Sequence, residues 1–200
     1  LNGKPIYLRG ALDQSFHPAG VYSYPSDEAL RQDLLLAKRA GFNFLRLHIK
    51  AEDPRWYYWA DRLGVLLMCD MPSFGYDAYS PEACANWQRC AEAIIRRDFN
   101  HPSIFSWCLF NETWGLGGRQ YAEMPERQQW VRECYEWAKG LDPTRLIEDN
   151  SPCLYDHVVT DINSWHFYIN DYQQAREHIE KVVANTYPGS TFNFVGGNVQ

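Results

Sequence analysis

Short apolar runs alternate with amphipathic stretches along the whole chain, and this alternation most narrows the folds open to it. "FNFLRLHI" (42–49), "VLLMCDM" (65–71), "IFSWCLF" (104–110) and "LIED" (146–149) are short and largely apolar, which predicts strands buried on both faces. "PIYLRGAL" (5–12) supplies a first strand before a polar loop to Ser26, and "HVVTDINSWHFY" (157–168) holds a sixth. Helical patterns lie between them. "DEALRQDLLLAKRAG" has acids in its first turn, Leu30, Leu34 and Ala37 on one face, and a stop at Gly41. "PRWYYWADRLG" (54–64) opens near Pro54 and closes on Gly64, and 81–98, 120–140 and 171–187 read as further helices, the long one ended by Gly140. Strands of this kind separated by helices make an α/β protein with a parallel sheet covered by helices.

No linker, repeat or low-complexity tract divides the 200 residues, so the sheet is either open and doubly wound or closed into a barrel. The nucleotide-binding open sheet needs a glycine-rich turn after an early strand, and neither GxGxxG nor GxxxxGK[ST] occurs; "GLGG" (115–118) lacks the spacing. Polar residues favour the barrel. They fall at the ends of successive strands: Arg9; Arg46 and His48; Asp70; Asn111 and Glu112; Asp149 and Asn150; His166 and Tyr168. In a (β/α)8 barrel such strand ends converge on one mouth, where the active site is built.

Composition excludes several functions. The net charge of -6 leaves no basic footprint for nucleic acid. No apolar stretch reaches the roughly twenty residues of a membrane span, and "LNGKPIYLRG" lacks the pattern of a signal peptide. The six cysteines form no CxxC pair and read as buried small hydrophobes in a reducing, cytoplasm-like compartment. No HxH or HExxH pattern suggests a metal, and no cofactor is expected.

"SWCLFNETWG" (106–115) places a carboxylate directly after an apolar strand, where burial is costly unless something pairs or uses it. Taken alone, Glu112 fits a structural ion pair as well as a catalytic role. Arg46 fits an ion pair with Asp70, and His48 fits a hydrogen-bonded core histidine. Core packing is the default for Trp107, Trp114 and Trp165, with Trp114 alone placed past the strand end beside Glu112.

"LNGKPIYLRG", "GFNFLRLHIKAEDPRWYYWADRLGVLLMCDMP", "RRDFNHPSIFSWCLFNE" and "LDPTRLIED" resemble successive blocks of the catalytic barrel of glycoside hydrolase family 2, which holds β-galactosidases, β-glucuronidases and β-mannosidases. The resemblance implies a retaining β-glycosidase acting on a terminal β-linked sugar, with carboxyl groups roughly 5–5.5 Å apart serving as acid/base and nucleophile. Glu112 matches the acid/base, and Asn111 the residue that hydrogen-bonds the sugar 2-hydroxyl. Arg46 matches an arginine beside the nucleophile, while His48, Asp70, His166 and Tyr168 fall among pocket residues and Trp114 at a sugar platform.

The family's nucleophile closes a seventh strand, which is expected beyond Gln200; Glu177 and Glu180 lie in a helical stretch. The resemblance thus implies about the first six βα units of a barrel, without the β-sandwich domains that precede it in the family. Such a fragment is expected to be inactive alone and to self-associate through unpaired strand edges. The rival readings are a non-catalytic carbohydrate-binding or vestigial barrel and, more remotely, a metal-dependent barrel hydrolase. A sugar acid would need a further cation, for which Lys50 and Arg119 are the candidates.

Overall fold

The computed structural model describes residues 1–72, 74–75, 79–153 and 156–200. Five strands, β1 (Gly10–Asp13), β2 (Phe44–Leu47), β3 (Leu66–Asp70), β4 (Ile104–Asn111) and β5 (Leu146–Ser151), hydrogen-bond in their chain order. Helices α1 (Asp27–Arg39), α2 (Pro54–Leu63), α3 (Pro81–Asp98) and α4 (Pro125–Leu141) connect successive strands, and α5 (Tyr172–Asn185) follows. β1 pairs with β2 and β2 with β3 in parallel, Leu12 opposite Arg46 and Arg46 opposite Met68. This is the parallel α/β sheet that the alternation predicts. No helix of the described residues is long and apolar enough to cross a membrane.

The chain divides into two compact units, Leu1–Pro72 with Cys90–Trp107, and Ser73–Arg89 with Cys108–Gln200. In the first, α1 starts where Ser26 Oγ accepts the Ala29 amide, and acids at its first turn and bases at its last oppose the helix dipole. α2 starts at the Asp53 cap with Pro54 behind it and stops at Gly64, whose φ of 67° is the left-handed conformation glycine adopts most easily. Leu30, Leu34, Trp56, Tyr57 and Ala60 from these helices are buried with Leu45, Leu47 and Leu67 of the sheet. In the second unit Trp87 stacks on Phe110 at 4.5 Å, with Trp130 and Trp137 around the pair.

Four expectations are corrected. The first strand begins at Gly10 rather than residue 5, because the Asn43 side chain takes over the preceding backbone: Oδ1 accepts the Arg9 amide at 2.8 Å and Nδ2 donates to Tyr7 O at 3.0 Å. The long helix starts at Pro125 after a separate 3-10 turn (Gly118–Glu123), and Gly140 lies within it. Cys69, Cys108 and Cys134 are buried, but Cys90 and Cys153 are exposed.

Residues 157–168 form no regular strand. The Asp161 amide donates to Ile147 O at 2.9 Å and the His166 amide to Pro152 O at 2.6 Å, so the segment runs beside β5 in the same sense. The intervening ladder fails because Asp149 Oδ2 accepts the Val158 and Val159 amides at 2.7 and 3.1 Å. Its Oδ1 lies 2.6 Å from His157 Nδ1, and both side chains are fully buried.

Burial opposes charge on His157, but Asp149 and nearby Glu148 outweigh it and hold the imidazole above its ordinary range. A raised histidine value gives stability that is complete below the unfolded value of about 6.5 and is lost as pH rises through the folded value. The gap in unfolding free energy between the native chain and His157→Gln should therefore narrow from pH ~6 to pH ~9 in urea titrations. A gap that does not change with pH would rule out a charged His157.

Candidate active site

The first unit places Arg46, His48 and Asp70 together. Asp70, at the end of β3, is 2% exposed, and its carboxylate accepts Arg46 Nε at 2.9 Å and Arg46 Nη2 at 2.8 Å. His48 Nδ1 lies 2.9 Å from Asp70 Oδ2, which also accepts the Ile49 amide at 3.2 Å. Arg46 is 9% and His48 8% exposed, so the predicted ion pair exists as a buried cluster with its carboxylate surrounded by donors.

Beside it, Lys50 Nζ donates to Ser15 O and Tyr22 O, both at 3.1 Å, and lies over the Tyr22 ring and 3.7 Å from Glu52. Lys50 is thus tied to its own unit. Burial pushes the carboxyls of Glu52 and Asp13 above the usual range.

The second unit places Glu112, His166 and Tyr168 together. Glu112 follows β4 immediately, and its φ of 52° and the 55° of Thr113 put two successive non-glycine residues in the left-handed region. Each such residue costs on the order of 1–3 kcal/mol and persists only where neighbours over-determine it. The neighbours here come from β5. The Glu112 amide donates to Ser151 O at 2.8 Å, and the Thr113 amide to Asn150 Oδ1 at 3.1 Å. Gly115 completes the turn at φ 76°, where a Cβ would lie 2.3 Å from Gly75 O.

Glu112 Oε1 lies 2.6 Å from His166 Nδ1 and accepts a hydrogen bond from the Tyr168 hydroxyl. The Glu112 side chain is 12% exposed while Tyr168 is 83% exposed, so the carboxyl sits just below a surface of the unit. Asn111 is buried, Trp114 is half-buried and Arg119 is exposed. Glu177 and Glu180 lie on α5, where they accept hydrogen bonds from Gln173 and Arg176.

Asn150 is named by the sequence only as a polar strand end, and Ser151 is missed. Ending the strand at residue 149 hid Ser151, whereas the unbroken polar run Glu148–Ser151 after two apolar residues is the signal that marks it. Ser151 Oγ lies 2.9 Å from His166 Nε2. Among the described residues no cluster of three or more His, Cys, Asp and Glu has the arrangement of a metal site.

Residues 1–192 match the profile of "Glycosyl hydrolases family 2, TIM barrel domain". A "Putative beta-glucuronidase" of Formosa agariphila is 33% identical over 192 residues, covering 94% of this chain and 22% of that protein. A beta-galactosidase of Vibrio vulnificus is 31% identical over 157 residues, covering 74% of this chain and 14% of its own length. Among solved structures, a Parabacteroides merdae beta-glucuronidase superposes with a TM-score of 0.80 at 22% identity, over 92% of this chain and 24% of that one. A beta-galacturonidase from Eisenbergiella tayi, bound to galacturonate, gives a TM-score of 0.80 at 22% identity over 96% and 35%. These two structures share the fold. The chain spans less than a quarter of the length of either sequence relative.

Replacing Asp70 with Ala leaves Arg46 and His48 buried without their carboxylate, which should cost about 3–5 kcal/mol in urea unfolding. Asn150→Ala strands the Thr113 amide and should cost about 1–3 kcal/mol. A loss below ~0.5 kcal/mol in either variant would show that water or a shifted neighbour replaces the missing acceptor.

Proposed function

The chain belongs to glycosyl hydrolase family 2, and from that premise we propose that it is part of the catalytic barrel of a retaining β-glycosidase with Glu112 as its acid/base. The observation that carries this reading is the placement of Glu112. It stands at the end of β4, on a backbone held in a strained conformation by β5, with its carboxyl just beneath the surface of its unit. Strain of this kind at a strand end supports a functional role, since a purely structural carboxylate needs no such backbone.

In the proposed mechanism the protonated Glu112 gives its proton to the leaving glycosidic oxygen while a second carboxylate attacks the anomeric carbon. As an ionised base, Glu112 then takes a proton from the water that releases the sugar. Asn111, one residue earlier on β4, is proposed to hydrogen-bond the sugar 2-hydroxyl, and Trp114 to offer an aromatic face to a sugar ring. Arg46, His48 and Asp70 are proposed as pocket groups whose mutual hydrogen bonds keep them preorganised.

The second carboxylate is proposed to lie outside residues 1–200, which would make this stretch a partial barrel. Glu177 and Glu180 belong to the exposed helix α5, and the chain covers 22% of its Formosa relative. The substrate is proposed to be a terminal β-galactoside or β-glucuronide, in keeping with the names of the sequence relatives. For a sugar acid, the exposed Arg119 is better available than Lys50.

In a polypeptide carrying this domain within a complete barrel, Glu112→Gln should lower kcat/KM for substrates with poor leaving groups by roughly 10²–10⁴. Dinitrophenyl glycosides, whose leaving group needs no proton, should lose far less in the glycosylation step. Equal losses for both would remove the acid/base assignment, and activity indifferent to Glu112 would favour a vestigial or sugar-binding barrel. Residues 1–200 alone should show no turnover; hydrolysis by them that Glu112→Gln abolishes would overturn the partial-barrel reading.

A further inference from the structure

We infer that His166 is a positioning residue for Glu112 rather than a sugar contact, and that Ser151 holds it in that role. Nδ1 lies 2.6 Å from Glu112 Oε1 and Nε2 lies 2.9 Å from Ser151 Oγ, so both ring nitrogens are engaged within the protein. An imidazole has two hydrogen-bonding atoms, which leaves neither for a substrate hydroxyl. The root of the side chain is fixed as well, because the His166 amide donates to Pro152 O at 2.6 Å, immediately after β5.

The two partners differ in what they require of the ring. An ionised Glu112 only accepts, so Nδ1 must carry a proton. The Ser151 hydroxyl both donates and accepts. It can give its proton to Nε2 of a neutral ring or accept a proton from Nε2 of a charged one, by rotation of the hydroxyl hydrogen alone. His166 can therefore gain or lose charge with every heavy atom in place, and Nδ1–H stays aimed at Glu112 in both states. The charged ring favours the ionised, base form of Glu112; the neutral ring removes that attraction and lets the acid form persist. The two groups titrate as a coupled pair.

Other titratable groups face the ring from each packed element. Tyr168, two residues on, donates to the same Oε1. Cys153 after β5 and His178 of α5 line a cavity of about 130 Å³ together with His166, Phe192 and Asn193. Burial, with a smaller contribution from Glu112, pushes the Cys153 thiol up, so it remains neutral and Glu112 is the anion in contact with the ring.

The consequence for catalysis rests on the acid/base reading of Glu112, but the coupling itself can be read without turnover. The test is ¹⁵N-histidine NMR of a polypeptide carrying this domain within a complete barrel, across about pH 5 to 9, with the His166 signals assigned through their loss in His166→Gln. Nδ1 should remain the protonated nitrogen throughout. In Glu112→Gln the His166 titration midpoint should fall by about one pH unit or more. In Ser151→Ala the Nδ1–H contact with Glu112 should remain while the Nε2 signal shifts, and Ser151→Thr, which keeps the hydroxyl, should restore the native signals.

An unmoved midpoint in Glu112→Gln, or a native ring whose proton sits on Nε2, would overturn the inference. Coupled titration alongside activity indifferent to Glu112 would leave the pairing intact and remove only the acid/base reading. Activity that depends on Glu112 with an uncoupled His166 would remove only the pairing.

Discussion

The buried polar end of β5 is the constraint on which the second unit depends. Glu148, Asp149, Asn150 and Ser151 are consecutive, and each is at most 2% exposed. Asp149 gathers the His157 ring and the Val158 and Val159 amides, Asn150 accepts the Thr113 amide, and Ser151 accepts the Glu112 amide. Each of these acceptors keeps a buried donor satisfied, and leaving such a donor unmade costs roughly 1–3 kcal/mol. The Asp149 carboxylate ends the regular ladder beside β5, and the next two residues, through the Asn150 side chain and the Ser151 carbonyl, hold the backbone of Thr113 and Glu112 where few residues go.

The first unit handles buried charge differently. Asp70 draws two guanidinium nitrogens, an imidazole and a backbone amide onto one carboxylate, so its cluster is stiff by saturation. The left-handed Ile49, at φ 51°, is held by this carboxylate too, and it parallels the left-handed Glu112 that follows β4. In both units the backbone leaves its regular path just past a strand, at a residue whose amide is taken by a neighbouring strand.

Most of the fold was legible because burial writes itself into spacing. β2 to β5 and all five helices follow from apolar periodicity, and α1 and α2 also from Ser26, Asp53, Pro54 and Gly64 at their ends. The two misread strands share one cause: a polar side chain captures backbone groups that a strand would have used. Asn43 does this before β1, and Asp149 does it beside β5. Periodicity reports which face of a chain is buried, and it is blind to a side chain bonding to another segment's amide.

The candidate site shows the same division. The sequence named Glu112, His166 and Tyr168 separately, but only the geometry shows that His166 and Tyr168 both meet one oxygen of Glu112. This matters for the chemistry assigned to each carboxylate. Asp70 is paired with an arginine, which carries its charge at every working pH. Glu112 is paired with a histidine, the one side chain whose charge ordinarily changes near neutrality, and with a tyrosine hydroxyl that is uncharged there. The acid/base role proposed for Glu112 would be poorly served by a permanent cation. It would be well served by a partner that can release its charge without releasing its hydrogen bond, which is the part proposed for His166.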